Sequence, residues 1–196
     1  MKPRVAIACS GLGHVRRGNE TWVASVADAL HAAGTQVTLL GGGDDVRVAC
    51  PFVRLQNFPR ESLLMRAWLT WHQRYLIEQR TFARSLVRWL REHPHDIVHL
   101  ADPALAWIVQ RSARSLGVRV IYKDGLLLGP PWCAKFDFVQ VLAPFYLEQA
   151  KAEGANTRGW FVLPHLVDAE KFKPDYAART ASRDAFVVRS EEHTSE

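Results

Sequence analysis

The sequence has no apolar run long enough to span a membrane, which takes about 20 residues, so no transmembrane helix is expected. Its three cysteines, Cys9, Cys50 and Cys133, are odd in number and lack the spacing of metal ligands, which indicates reduced, buried thiols. The absence of zinc-finger and RNA-recognition motifs argues against a nucleic acid partner. No signal peptide precedes the first apolar segment, and the sequence therefore predicts a cytoplasmic protein.

The sequence has fewer acidic than basic residues, 20 aspartates and glutamates against 25 lysines and arginines, and its net charge is +5. This excess favours an anionic partner, either a nucleotide or the surface of an anionic membrane. The 196 residues, 48% of them hydrophobic, are enough for one domain with its own core and part of a second.

The first apolar segment, residues 5–9, leads into a glycine-rich turn and then a helix. This order is typical of proteins that hold a phosphate at a helix N-terminus. Arg16 stands where the dinucleotide fingerprint has its third glycine. Two interpretations remain open, a phosphate-binding loop or an ordinary tight turn. The residues that would bind in the first case are Gly11, Leu12, Gly13, His14 and Arg16.

Apolar segments alternate with helical patterns along the rest of the chain, which predicts an α/β fold with a doubly wound parallel sheet. Strands are predicted at 36–40, 52–55, 96–100, 118–122, 137–142 and 160–163. Ligands collect at the carboxyl ends of such strands. We therefore expect the loops at 11–17, 99–102 and 123–125 to meet at one rim.

Residues 60–92, from Arg60 to Glu92, form the most unusual segment, in which one or two long helices carry seven arginines against three glutamates. A tryptophan-rich basic helix can lie on an anionic membrane. Alternatively, its apolar stripe packs on the sheet while the arginines face water. The stripe comprises Leu64, Trp68, Trp71, Tyr75, Phe82, Leu86 and either Trp89 or Leu90.

Four stretches together resemble glycosyltransferase family 4, specifically the N-terminal, acceptor-side domain of its GT-B fold. The first stretch is the glycine loop with the helix that follows it, together with the small-residue turn at 32–40. The segment DIVHLAD at 96–102 is similar to the family's D-[IV]-V-H strand, and VIYKDG at 120–125 is similar to the strand end that carries a histidine in many members. LPHLVDAEKFKP at 163–174 resembles the P-N-G-V-D motif that closes the domain, although His165 and Leu166 replace Asn-Gly.

The resemblance implies transfer of a sugar from a UDP- or GDP-sugar to a glycan or lipid-linked acceptor, without a metal or other cofactor. The glycine loop would approach the donor phosphates. His99, Asp102, Lys123, Asp124 and Gly125 would lie on the acceptor side. A neutral His99 could take the proton of the acceptor hydroxyl, or it could be a structural histidine bonded to the backbone. Lys123 and Asp124 could equally form a surface ion pair.

The domain similar to the family is predicted to cover residues 1–174, with a linker and the first strand of a donor-binding domain at 175–188. Residues 189–196, Arg-Ser-Glu-Glu-His-Thr-Ser-Glu, resemble the translation of a sequencing adapter and are interpreted as an artefactual tail. Because donor binding in this fold rests mainly on the C-terminal domain, the 196-residue chain is expected to be inactive alone.

Two other functions remain open from the residues. A nicotinamide-dependent oxidoreductase could use Asp44 or Asp45, shortly after the second strand, to bind a ribose. A non-catalytic module could instead use residues 60–92 to bind a membrane surface or a protein partner.

Overall fold

The computed structural model describes residues 2–166. These residues form one seven-stranded sheet in which every neighbouring pair of strands is parallel. The predicted α/β class with a doubly wound sheet is confirmed. The strands are β1 (Arg4–Cys9), β2 (Gln36–Gly41), β3 (Phe52–Arg54), β4 (Ile97–Leu100), β5 (Arg119–Lys123), β6 (Phe138–Val141) and β7 (Trp160–Val162).

Helices cover both faces of the sheet and follow the strands in the expected alternation. They are α1 (Gly18–Ala32), α2 (Leu63–Trp68), α3 (Trp71–Glu92), α4 (Pro103–Leu116), α5 (Pro130–Cys133) and α6 (Pro144–Ala152). The predicted long helical segment is therefore two helices, and α5 has no counterpart in the prediction. Among the described residues, no helix combines the length and apolarity that crossing a bilayer requires.

The order of strands in the sheet is β3-β2-β1-β4-β5-β6-β7, so the direction of winding reverses between β1 and β4. Val5 pairs with Ile97 and Ala8 with Leu100 along this central seam. In doubly wound sheets a ligand crevice opens at the carboxyl ends of the two strands where the order reverses. The loops that leave β1 and β4 flank that crevice.

Each face of the sheet has its own core. On one face α1 buries Trp22, Val23 and Val26 against β1 and β2. On the other face α3 buries Phe82 and Leu86 together with residues of α4. The apolar stripe of α3 therefore packs on the sheet from Phe82 onward, as the second interpretation of residues 60–92 proposed.

The beginning of that stripe is different, because α2 leaves Leu64 and Trp68 exposed. The N-cap residue of helix α1 is Arg17, and no side chain caps this helix. The predicted boundary at 174, the linker and strand at 175–188 and the tail at 189–196 lie outside the described residues.

Candidate functional site

A cavity of about 290 Å³ opens at the carboxyl edge of the sheet, beside the seam between β1 and β4. The N-terminus of α1, the loop before α2, the start of α3 and the ends of β4 and β5 form its walls. Its lining residues are Arg17, Gly18, Asn19, Glu20, Arg60, Trp71, Tyr75, Asp102, Lys123, Gly125, Leu126 and His165.

A buried charge cluster, which consists of Glu20, Arg60, Glu78 and Asp102, lies at this cavity. The Arg60 guanidinium is the cation of the cluster and is almost inaccessible to solvent. Its Nη2 donates to Glu20 Oε1 at 3.2 Å, and its Nε lies 3.0 Å from Glu78 Oε1. Its backbone N–H also donates to Glu78 Oε2 at 2.7 Å. Two carboxylates from different helices thus hold Arg60 in place and neutralise it.

Glu78 connects the cluster to the glycine loop. The His14 Nε2 lies 2.9 Å from Glu78 Oε2, and the Ser10 hydroxyl oxygen lies 3.3 Å from Glu78 Oε1. Burial acts to raise the pKa of Glu78, but the bonds from His14 and Arg60 outweigh it and lower that pKa. Glu78 is therefore an ionised structural carboxylate, and His14 serves to anchor the loop to α3.

Asp102 follows β4 and occupies the N-cap position of α4 without capping that helix. Gln79 of α3 caps it instead, because its Oε1 accepts from the N–H groups of Ala104 and Leu105 at 2.8 and 3.2 Å. The Asp102 carboxylate accepts from the Ser10 N–H and hydroxyl at 2.8 and 2.7 Å through Oδ2.

The other carboxylate oxygen of Asp102, Oδ1, accepts from the Tyr75 hydroxyl at 3.5 Å. Burial raises the pKa of Asp102 despite the hydrogen bonds from Ser10, and burial also raises the pKa of Glu20. Both carboxyl groups line the cavity, so they are able to exchange a proton with a bound molecule.

Lys123 ends β5 and is 1% exposed. Its Nζ donates to Asn19 Oδ1 at 3.3 Å and lies 4.6 Å from the centre of the Trp22 ring. Burial lowers the pKa of Lys123. The alternative of a surface pair with Asp124 is wrong, since both residues are buried and no Lys123–Asp124 ion pair occurs in the structure.

His99 lies within β4 and is 5% exposed. Its ring meets Trp22 edge to face with 4.9 Å between the ring centres. Burial lowers the pKa of His99 to about 4, so the imidazole is neutral near pH 7. A histidine must be neutral to accept a proton as a general base, and His99 meets this condition. However, His99 is not among the residues that line the cavity.

The glycine loop folds under the cavity rather than along it. Gly13 has a φ of 91°, and a Cβ there would lie 2.5 Å from the backbone carbon of Gly43. A Cβ on Gly11 would collide with the guanidinium of Arg60. Arg16 points outward to an ion pair with Asp45. The glycines thus allow close packing of protein against protein, and the N-terminal residues of α1 provide the cavity wall.

The structure brings Asp102, Lys123 and Gly125 of the sequence-predicted site residues to the cavity. It directs Asp124 elsewhere: its Oδ1 accepts from the Leu128 N–H at 3.1 Å, and its Oδ2 lies 3.3 Å from Cys133 Sγ. Gly11, Leu12, Gly13, His14, Arg16 and His99 lie outside the lining of the cavity.

Nine lining residues were not among the site residues predicted from the sequence: Arg17, Gly18, Asn19, Glu20, Arg60, Trp71, Tyr75, Leu126 and His165. Glu20 could have been found, because a carboxylate in the first turn of α1 points to the same edge as the strand ends. Arg60 could not, because only the folded chain brings its loop between α1 and α3. Trp71 and Tyr75 were assigned to an apolar stripe, and His165 to a motif.

The oxidoreductase interpretation depended on an aspartate free to bind a ribose. Asp44 is paired with Arg54 and Asp45 with Arg16. Both carboxylates are therefore engaged in ion pairs on the protein surface, and the geometry does not favour that interpretation.

A protein-family model described as Glycosyltransferase Family 4 matches residues 16–123, which is more than half of the chain. The chain belongs to glycosyltransferase family 4. The match begins in the glycine loop and ends at Lys123, so it contains most of the residues that line the cavity of this family member. No curated protein matched the chain in a sequence comparison.

Solved structures of low sequence identity share the fold. A sucrose-phosphate synthase from Thermosynechococcus elongatus has a TM-score of 0.66 at 15% identity, covering 92% of this chain and 52% of that one. HepE of Anabaena, solved in complex with UDP and glucose, has a TM-score of 0.60 at 10% identity, covering 92% and 49%. MurG of Acinetobacter baumannii has a TM-score of 0.52 at 16% identity, covering 85% and 47%. This chain spans about half the length of each.

Proposed function

We propose that this chain is the acceptor-side part of an enzyme that transfers a sugar from a UDP- or GDP-sugar to a glycan or lipid-linked acceptor. The family match over residues 16–123 carries the proposal, because that segment includes the walls of the cavity at the strand ends. The UDP and glucose bound to HepE of Anabaena support a nucleotide-sugar as donor. The proposal includes no metal or other cofactor.

In this proposal the acceptor binds in the cavity and its hydroxyl approaches Asp102 or Glu20. A carboxyl group whose pKa is raised by burial is a better proton acceptor near neutral pH than an exposed one. Asp102 is better placed than His99, because Asp102 lines the cavity while His99 is not among its lining residues. Asp102 therefore replaces His99 as the proposed base.

A peripheral contact with an anionic membrane is part of the proposal and rests on α2 rather than α3. Leu63, Leu64 and Trp68 are each at least 75% exposed, and Arg66 lies among them. Exposed apolar side chains beside a cation suit the surface of an anionic bilayer. Sedimentation with phosphatidylglycerol vesicles tests this: binding should decrease at high salt and in Trp68→Ser, whereas equal binding to phosphatidylcholine vesicles would contradict it.

The 196-residue chain is proposed to lack turnover by itself, because donor binding in this fold depends mainly on a second domain. The test compares this chain with the product of the genomic reading frame extended past Val188. Both are incubated with radiolabelled UDP- and GDP-sugars and extracted glycans and lipids, and label in the acceptor fraction is measured.

We expect transfer by the extended protein and none by the 196-residue chain. Transfer by the shorter chain would contradict its inactivity, and no transfer by the extended protein from any of these donors would contradict the proposed reaction. Sequencing the locus also tests the tail, since a genomic frame that encodes residues 189–196 would show it to be native.

A further inference from the structure

We propose that the cavity binds an anionic group, a carboxylate or a phosphate, with the Lys123 ammonium as its counter-ion. The inference deepens the proposed function and rests on it, since it assigns a charge to the molecule that the cavity receives. The family resemblance does not supply it, because this chain has Lys123 and Asp124 where the family pattern has a dipeptide of the Thr-His type.

The first observation is that Lys123 is a buried cation without a carboxylate partner among the described residues. No carboxylate oxygen there lies within 4.0 Å of its Nζ. Its contacts are the neutral Asn19 amide and the face of Trp22. An ammonium has three hydrogen-bond donors, and burial of a charge is costly unless that charge is paired. Lys123 lines the cavity, so a bound anion could fill this capacity.

The second observation is the uncapped N-terminus of α1 on the same cavity wall. Helix α1 has 15 residues, and the side chain of its N-cap residue, Arg17, makes no capping hydrogen bond. Gly18, Asn19 and Glu20 of its first turn line the cavity. Free N–H groups at the start of a helix favour an anion, and Lys123 lies within hydrogen-bond distance of this turn through Asn19.

The carboxylates in the same cavity do not neutralise Lys123. Glu20 Oε1 accepts from Arg60, and Asp102 Oδ2 accepts from Ser10. Burial lowers the pKa of Lys123, although the charges of Asp124 and Asp102 act in the opposite direction.

Gly125 keeps the approach to Lys123 open. A Cβ at position 125 would lie 2.6 Å from Lys123 Nζ and 3.2 Å from Asn19 Oδ1. A side chain at this position would therefore move the ammonium away from its present location. This close approach gives a second variant that displaces the charge without removing it.

The test uses the full 196-residue chain and NMR titration with glucose, glucuronate, glucose 6-phosphate and pyrophosphate. We expect at least one anionic probe to bind tenfold or more tightly than glucose. Lys123→Met should remove this preference, Lys123→Arg should retain part of it, and Gly125→Ala should weaken it. Lys151→Met is the matched control, because it removes one exposed lysine of α6 and should leave binding unchanged.

The probes also distinguish two sources of the anion. Preference for glucuronate or glucose 6-phosphate supports an acidic sugar, whereas binding of pyrophosphate alone, lost in Lys123→Met, supports the diphosphate of a nucleotide. Glucose binding as tightly as every anion would overturn the inference, as would unchanged binding in a folded Lys123→Met. Such a result would not affect the proposed sugar transfer by the extended protein. The anion site and the transfer reaction can therefore be disproved independently.

Discussion

Arg60 and Lys123 are two buried cations on the walls of one cavity, and they are stabilised in opposite ways. Arg60 comes from a loop and contacts Glu20 and Glu78, each from a different helix. Lys123 comes from a strand end, and its ammonium contacts an amide and an aromatic ring but no carboxylate among the described residues. Both are at most 3% exposed.

The difference separates a structural charge from one that is free to bind. Arg60 joins α1, α3 and its own loop, so its partners belong to the fold. Lys123 joins nothing of opposite charge in the described part of the chain. Variants at the two positions should therefore affect different properties, stability for Arg60 and ligand binding for Lys123.

Arg60→Met should give the largest loss of stability. It leaves Glu20 and Glu78 buried without their cation, and breaking a buried ion pair costs about 3–5 kcal/mol. Urea unfolding followed by tryptophan fluorescence measures the free energy. Lys123→Met is the matched comparison and should not lower the free energy of unfolding, because it removes a desolvated charge that has no carboxylate partner. Equal losses in the two variants would break the comparison.

His99 shows a third way to bury a titratable group, by keeping it neutral. Its pKa of about 4 is below the ordinary 6.5, so the unfolded chain binds the proton more readily between these values. The stability that His99 provides above pH 6.5 is lost as the pH falls toward 4, by about 3 kcal/mol at about 1.4 kcal/mol per pKa unit.

Between pH 7 and pH 4.5, His99→Gln should reduce the acid-induced loss of stability by most of that amount. Urea unfolding at pH 7 and pH 4.5 for both proteins measures the effect. Other titratable groups contribute to the pH dependence of both proteins. The quantity compared is therefore the change in the free energy of unfolding between the two pH values, wild type against variant. An identical change in the free energy of unfolding in both proteins would show that His99 is not held neutral by burial.

Gly11→Ala and Gly125→Ala test how firmly each of the two cations is held, because Gly11 adjoins Arg60 and Gly125 adjoins Lys123. A Cβ at Gly11 would displace an Arg60 guanidinium fixed by two carboxylates, and overpacking of this kind costs about 1–3 kcal/mol. A Cβ at Gly125 would displace the end of a lysine held by one weak bond, so its cost should be smaller. Thermal unfolding of both variants measures the order, and the reverse order would contradict the interpretation.

Glu148→Gln should give the smallest effect. Glu148 pairs with Lys151 at 2.8 Å on the surface of α6, where both side chains are at least half exposed. Exposed pairs of this kind contribute about 0–1 kcal/mol. Urea unfolding should therefore show little change, and a loss as large as that of Arg60→Met would contradict the role given to burial.

The fold could be predicted from the sequence because its signals are local. Short apolar strands and glycine or proline at helix ends give the alternation without any knowledge of distant contacts. The same local logic identified Asp102, Lys123 and Gly125, since each lies at or within two residues of the carboxyl end of a strand of the parallel sheet.

The rest of the site could not be predicted because long-range packing decides it. One interpretation of residues 60–92 placed their arginines in water, yet Arg60 meets Glu78, 18 residues further along the chain, within the core. The glycines at 11 and 13 match a phosphate loop in sequence, but their missing side chains make room for Arg60 and Gly43. The glycine pattern predicts that another group packs closely against this loop, but it does not show whether that group is a ligand or another part of the protein.

The central seam of the sheet has a consequence for how the chain folds. Val5 pairs with Ile97, 92 residues further along the chain, so the two middle strands cannot join until a long loop has closed. Loop closure is an entropic cost that precedes the contacts that reward it, and such topologies fold slowly. The cavity forms only after this pairing, so its appearance in a refolding experiment should report the completion of the sheet.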